Sequence, residues 1–305
     1  MDEVRTKPKY SYYGYGLKIS SDIELPLPEA DRDGNSDVHI TFGKIPENIE
    51  CERKISSYSI SQDAFILNLK NADIFAGFGR EIIIEFPGDE EFNKDDTVPF
   101  LLSSCIGALL HQRNTLALHA SSVMTKNGAV VFMGTASSGK STLASVLERK
   151  GYGVLSDDIC PVDMIDGNAV MVPSGEKLQI WKDIISALKI PPEFLKKIRP
   201  SLEKYYYGHA NPEFKEPVNI SAIYLLNPSN EGLYEIRDKF SGNQKLNILK
   251  NHICCKNFAK EMFIENKYYK KLKHLSGTVP LKEFVKPNIE FKPEKLTDIL
   301  EKDFL

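Results

Sequence analysis

The sequence predicts a mixed α/β fold, with a β-rich front and an α/β rear that ends in helices. Three observations predict it. Residues 1–95 hold short runs of β-branched and aromatic residues separated by turn clusters. From residue 113 the order becomes strand, glycine-rich loop, helix, strand. The last third joins one apolar run to stretches of helical period. A chain of 305 residues is long enough for a sizeable core and for two domains.

In the front segment "YGLKIS", "DVHITFG", "AFILNL" and "REIIIEF" read as strands, and "DRDGNSD" and "PGDEEFNKDD" as turns. A connecting helix is predicted over 96–112. Asp96 or Thr97 is its expected cap, Pro99 suits its first turn, and "FLLSSCIGALLHQ" supplies the apolar period. The rear domain, 113–305, opens with the strand "TLALHASSVM", the tight turn "KNG" and the strand "AVVFM". The last of these is continuous enough to be buried on both faces. "STLASVLERK" reads as a helix ended by "GYG", and "VLSDDICPVDM" as one strand returning through "DGN" to "AVMVP". "ISAIYLL" reads as a buried strand. "QKLNILKNHICCKNFAKEMF" and "PEKLTDILEKDF" read as amphipathic helices.

Composition narrows the classes. A hydrophobic share of 42% beside 27% charged residues fits a globular chain rather than a disordered one. A net charge of −3 argues against a general nucleic-acid binder, so no nucleic-acid partner is expected. Five cysteines (Cys51, Cys105, Cys160, Cys254, Cys255) are an odd number in a long chain and do not suggest a disulfide framework. No apolar run reaches the roughly 18 residues of a membrane span, so no membrane partner is expected. The opening "MDEVRTKPKYSYYGYG" lacks the apolar centre of a secretory signal. A cytoplasmic location is the expectation.

The loop "GTASSGKST", Gly134 to Thr142, fits G-x-x-x-x-G-K-[ST]. Gly134 and Gly139 let the backbone turn so that successive N–H groups face phosphate oxygens. The expected contacts come from Gly134, Ala136, Ser137, Ser138, Gly139, Lys140, Ser141 and Thr142. The helix start adds its positive dipole end. Lys140 can set a compact charge between β- and γ-phosphates, and Ser141 offers a hard oxygen to Mg²⁺. A nucleoside triphosphate with Mg²⁺ is the ligand these residues predict. The bland alternative is a Gly/Ser turn that binds nothing.

A loop of this kind works with a carboxylate at another strand end. Asp157 and Asp158 lie about 16 residues beyond it. On a strand end, adjacent side chains point in opposite directions, so one carboxylate can face the metal and the other an acceptor. A turn-forming Asp pair is the competing reading. His119 lies on the preceding strand. A lone His there is more often a satisfied core residue, and composition leaves its role open.

Taken in order, "LHASSV", "GTASSGKST", "GYGVLSDDICPV" and "VPSGEKLQIW" resemble the catalytic domain of the HPr serine kinase/phosphorylase family. They resemble most its branch associated with peptide maturation, including lasso peptide tailoring kinases. The resemblance covers 113 to about 230. The front stretch "YYGYGLKISSDIELPLPE" and the later "DVHITFG" resemble the β-rich part of that branch. It implies a P-loop fold related to phosphoenolpyruvate carboxykinase and ATP-dependent phosphorylation of a serine hydroxyl. It implies that His119 matches the family histidine, and that one of Asp157 and Asp158 is the general base while the other supports Mg²⁺. The expected assignment is Asp157 as base, with Ser141 and Asp158 on the metal and Lys140 at the phosphates.

Two departures bear on the substrate. Thr142 follows Ser141 where HPr kinases carry Glu, and "QIWK" (Gln179, Trp181) replaces an E-I-R-G run. The expected acceptor is therefore a serine on a peptide or small protein, a lasso-type precursor in the narrowest reading. The alternatives are HPr itself, a small-molecule acceptor, or a non-catalytic ATP-sensing subunit of a maturation complex. The hexamers of the HPr kinases leave a homo-oligomer open.

On the substrate side, "IRPSLEKYYYGHA" offers Arg199, Lys204, Tyr205 and His209 as cations or donors for a phosphate or carboxylate. A solvated loop is the competing reading. Lys267, Lys270, Lys271 and Lys273 read as a solvated helix face, or as a dock for an acidic partner. His252, Cys254 and Cys255 lack zinc-site spacing. Trp181 is expected in the core or as a pocket wall.

Overall fold

The computed structural model describes residues 8–55, 57–86, 92–208, 214–288 and 292–304. The turn expected around 87–91 and His209 lie outside the described residues. The chain is a mixed α/β protein.

The front of the chain forms β1 (Tyr10–Gly14), β2 (Leu17–Ser21), β3 (Val38–Phe42), β4 (Arg53–Ile55), β5 (Tyr58–Ile60), β6 (Ala64–Asn68), β7 (Asp73–Gly77) and β8 (Glu81–Glu85). Among the described residues these eight strands make one sheet, ordered β1-β2-β3-β8-β7-β6-β5-β4. Its alternation is legible in β8, where Ile82 and Ile84 are buried between half-buried neighbours. The β1–β2 hairpin turns through Tyr15 and Gly16, with φ of 57° and 75°. Two central residues with positive φ match the twist of the flanking strands. A Cβ on Gly16 would come within 2.7 Å of Val172 Cγ1, so the hairpin tip sits against the rear of the chain.

The connecting helix starts earlier than 96. It runs as α1 (Lys94–Phe100), a π-helical turn (Leu101–Cys105) and α2 (Ile106–Gln112). Asn93 is the cap in place of Asp96 or Thr97, its side chain accepting from the N–H groups of Asp95 and Asp96. Asp95 and Asp96 then fall in the first turn, where the helix dipole favours them. Pro99 lies inside the helix rather than in its first turn, and the wider π turn follows directly.

The rear comprises β9 (Leu116–Thr125), β10 (Gly128–Met133), α3 (Lys140–Arg149), β11 (Val154–Ser156), β12 (Ile159–Ile165), β13 (Asn168–Met171), β14 (Leu178–Trp181), α4 (Lys182–Leu188), β15 (Leu195–Lys197), β16 (Lys204–Tyr207), β17 (Val218–Ser229), β18 (Glu235–Arg237), α5 (Gly242–Asn251), α6 (Lys256–Glu261), α7 (Tyr269–Thr278), β19 (Leu281–Pro287) and α8 (Pro293–Phe304). β9 pairs with β10 and β12, β12 with β13, and β13 with β17; β17 returns to β10 in parallel. β19 extends this sheet parallel to β17, and β18 follows it. β14, β16 and β15 form a separate small sheet.

Two expected elements are divided. The run 154–164 is not one strand: it breaks at Asp157–Asp158, and Asp158 adopts φ 66°. The helix expected over 244–263 breaks at His252–Cys255, where Cys255 has φ 49°. In both places the chain leaves its local pattern to hydrogen-bond β9, as shown below.

One continuous apolar core contains Ile19 and Phe65 from the front sheet, Ile106 and Leu109 from α2, and Leu118 and Met133 from the rear sheet. The two sheets therefore bury their faces against a shared helix rather than in separate cores. A second core holds Leu143 and Leu147 of α3 against Leu296, Leu300 and Phe304 of α8. This packing fixes the direction of α3, and hence where its N-terminus points.

Candidate active site

The loop Gly134–Gly139 leaves the carboxyl end of β10 and delivers the chain into α3. Its backbone is shaped by three positive φ angles: 155° at Gly134, 62° at Ser137 and 96° at Gly139. Glycine is needed at Gly134 because a Cβ there would lie 2.4 Å from Ser138 Oγ and 3.0 Å from the Leu226 carbonyl oxygen. No side chain caps α3, so its first N–H groups are not engaged by a capping residue. The Ser138 hydroxyl is buried inside the loop with no hydrogen-bond partner among the described residues. An uncapped helix start, an orphaned hydroxyl and a glycine-lined concavity are the features of an anion cradle.

Lys140 is buried, and its ammonium donates to the carbonyls of Gly134 (3.0 Å) and Thr135 (3.2 Å). Burial depresses its pKa, while the carboxylates of Asp158 and Asp157 act in the opposite direction. Ser141, one residue into α3, donates to Asp157 Oδ1 at 2.9 Å. Asp157 is fully buried and also accepts from Ser121 Oγ on β9 (2.5 Å) and from the Gln179 backbone N–H on β14 (2.9 Å). Burial raises its pKa, and these three donors partly offset that.

Asp158 differs in every respect. The left-handed backbone turns its side chain out of the strand path, and that side chain is 34% exposed. Its Oδ1 lies 3.1 Å from His119 Nδ1. Burial alone would raise its pKa; His119, Lys204 and Lys140 outweigh burial and hold it below the usual carboxylate range. His119 is a half-exposed residue, not a core histidine. Its backbone N–H donates to the His252 carbonyl at 2.7 Å, and the Cys254 N–H donates to the Ala117 carbonyl at 2.8 Å. The break in the 244–263 helix thus braces the segment of β9 that carries His119.

The geometry does not match the expected metal pair. Ser141 meets Asp157, and Asp158 meets His119 instead. The cause is the break between β11 and β12, which replaces the alternation of a regular strand end. The two carboxylates do face different neighbours, though in the reverse order to that expected.

Lys204 on β16 reaches this cluster: it donates to Gln179 Oε1 at 3.1 Å and lies over the Trp181 ring at 5.7 Å. Trp181 is 46% exposed, at the start of α4, and so belongs to neither core. Arg199 goes elsewhere. Its guanidinium stacks on Phe100 at 4.7 Å and lies 3.9 Å from Asp96, both on α1. Lys271 is bound to Asp163 at 2.9 Å rather than being a free docking cation.

Sequence reasoning missed Glu176. It is buried beside the acidic pair, and the Tyr15 hydroxyl at the front hairpin tip donates to its Oε1 at 2.7 Å. Burial, reinforced by the charges of Asp158 and Asp157, raises its pKa well above the ordinary value. A Glu just before the buried Leu178 was the available signal, but its partner lies 161 residues away. A cavity of about 520 Å³ opens near it, lined by Tyr12 and Pro28 of the front, Lys94 of α1, Lys177 just before β14, and Lys196 and Tyr206 of the small sheet. The loop, Asp157 and Asp158 do not line it.

No family model matches the chain, and no curated protein does. Among solved structures, the HPr(Ser) kinase/phosphatase from Coxiella burnetii is matched over 61% of this chain and 97% of that chain. The identity is 12% and the TM-score 0.28. Among the described residues no helix is long and apolar enough to cross a membrane.

Proposed function

We propose that the chain is an ATP-dependent kinase that transfers a phosphoryl group to a serine hydroxyl of a peptide or small protein. The observation that carries this reading is the division of the acidic pair. Asp157 is sealed against the loop hydroxyl Ser141, while Asp158 stands half-exposed beside His119. A site that only held nucleotide would need the first arrangement and not the second.

The residues present fit Mg–ATP. The glycine-lined cradle and orphaned Ser138 hydroxyl suit phosphate oxygens, and a hydroxyl beside a buried carboxylate suits a hard cation. Bound there, Mg–ATP would supply the phosphoryl group and the charge that activates it. Gly134–Thr142 would hold the phosphates and Lys140 would neutralise them. Ser141 and Asp157 would hold the metal. Asp158 would orient the acceptor hydroxyl and accept its proton, with His119 fixing the Asp158 carboxylate. Phosphoryl transfer depends mostly on such positioning and neutralisation.

Asp158 feels the charge of Lys204, a cation that could meet a phosphate or a carboxylate of a peptide acceptor. The sequence resemblance to peptide-maturation kinases narrows the reading to a lasso-type precursor. The test is incubation with Mg–ATP and a panel of small precursor-like peptides encoded beside the gene, together with HPr. Intact mass is read first and fragmentation second. Phosphoryl gain on a peptide serine supports the reading. Gain on HPr alone moves the chain to the regulatory kinases, and ATP binding with no gain on either rejects the peptide-kinase assignment.

A further inference from the structure

β10, β17 and β19 run parallel, and the phosphate-binding loop leaves the carboxyl end of β10. Ligands of open α/β sheets collect at such carboxyl ends. Leu226, near the end of β17, places its carbonyl against Gly134 at the start of the loop. The next strand, β19, places Lys286 against the other end. A Cβ on Gly139 would lie 3.3 Å from Lys286 Cε and 3.4 Å from its Nζ. The loop is therefore flanked by two lysines, Lys140 from within and Lys286 from two strands away.

The surroundings of these cations differ. Lys140 has the carboxylates of Asp157 and Asp158 nearby and two loop carbonyls on its ammonium. Lys286 is half-buried, and among the described residues no carboxylate pairs with it; burial alone acts on it, depressing its pKa. A partly desolvated ammonium without a counter-ion is unfavourable unless an anion arrives. A second group also lacks a partner at the same place: the Ser138 hydroxyl, 1% exposed, turned toward Gly134 within the loop.

We propose that Lys286 is a second phosphate-binding cation, completing the charge complement of the loop for a nucleoside triphosphate. This rests on the nucleotide-binding reading above. Its role is electrostatic positioning of the polyphosphate, which needs at least two positive charges besides the metal to approach neutrality.

The test is calorimetric titration of the full chain with Mg–ATP, comparing wild type, Lys286→Gln, Lys286→Arg and Lys140→Ala, with thermal melting of each. Loss of one charge-assisted contact is expected to weaken Mg–ATP binding by about tenfold or more in Lys286→Gln. Lys286→Arg should restore most of it, and both should melt with the wild type. Lys286→Gln binding as tightly as wild type overturns the inference while leaving the loop's reading intact. So does a loss of affinity that tracks a lower melting temperature and is not restored by Arg, since that marks a packing role. If the wild type binds neither Mg–ATP nor tripolyphosphate, the nucleotide reading itself fails and takes this inference with it.

Discussion

Ser141 donates its hydroxyl to Asp157 at 2.9 Å, joining the first turn of α3 to the break between β11 and β12. That carboxylate is also the meeting point of β9, through Ser121, and of the small sheet, through the Gln179 N–H. Four separate stretches of chain are fixed on one buried charge. Asp158, next in sequence, is thereby turned away toward His119 and the exterior.

Lys140→Ala is expected to abolish measurable phosphoryl transfer and to weaken Mg–ATP binding by about a hundredfold, because one residue both neutralises phosphate and holds the carbonyls of Gly134 and Thr135. Product mass and calorimetry check this. Transfer at the wild-type rate would remove the loop from the chemistry.

His119→Ala should lower the transfer rate by about ten- to a hundredfold while leaving Mg–ATP affinity unchanged. The histidine contacts Asp158 and not the loop. Turnover rate and dissociation constant, measured separately, distinguish this from a folding defect.

Glu176 gives a stability test. Its folded pKa is raised, so its neutral form fits the site. Stability is fully present below the unfolded carboxylate pKa and is lost as pH rises through the folded value. Glu176→Gln mimics the neutral form. It is expected to melt like wild type near about pH 4 and above wild type near about pH 8. Equal melting at both would show that Glu176 does not titrate in this way.

His111 acts in the opposite sense. It is buried on α2 against the Tyr268 hydroxyl and the Cys254 carbonyl, and burial lowers its pKa to about 4. Between that value and its unfolded value of 6.5 the unfolded chain binds more protons, so stability falls as pH falls through this window. The loss amounts to about 3 kcal/mol over the full window. Denaturant melts of His111→Gln should show a shallower loss than wild type between those two pH values.

The candidate phosphate loop stands out in the sequence because its glycines, lysine and hydroxyl fall within nine residues between an apolar strand and an amphipathic helix. The acidic pair is visible as residue types, but the neighbours that each carboxylate meets, Ser141 for Asp157 and His119 for Asp158, are not. Alternation along a strand assumes a strand, and the left-handed Asp158 arises from tertiary pairing of β9 with both flanks of the break. Tyr15, Glu176 and Lys286 carry no local pattern. Each becomes significant only when distant strands meet. Arg199 shows the converse: a cation in a promising stretch that α1 draws away through Phe100 and Asp96.

The division of labour within the acidic pair is the central claim, and one comparison tests it most directly. Mg–ATP affinity, Mg²⁺ dependence and single-turnover transfer to an accepted peptide would be measured for Asp157→Asn and Asp158→Asn. The account predicts that Asp158→Asn binds Mg–ATP like wild type while transfer drops by about a hundredfold or more. Asp157→Asn should instead raise the Mg²⁺ requirement and weaken nucleotide binding. Normal transfer in Asp158→Asn, with Asp157→Asn binding Mg–ATP normally and failing only in transfer, would contradict it and return the base to Asp157.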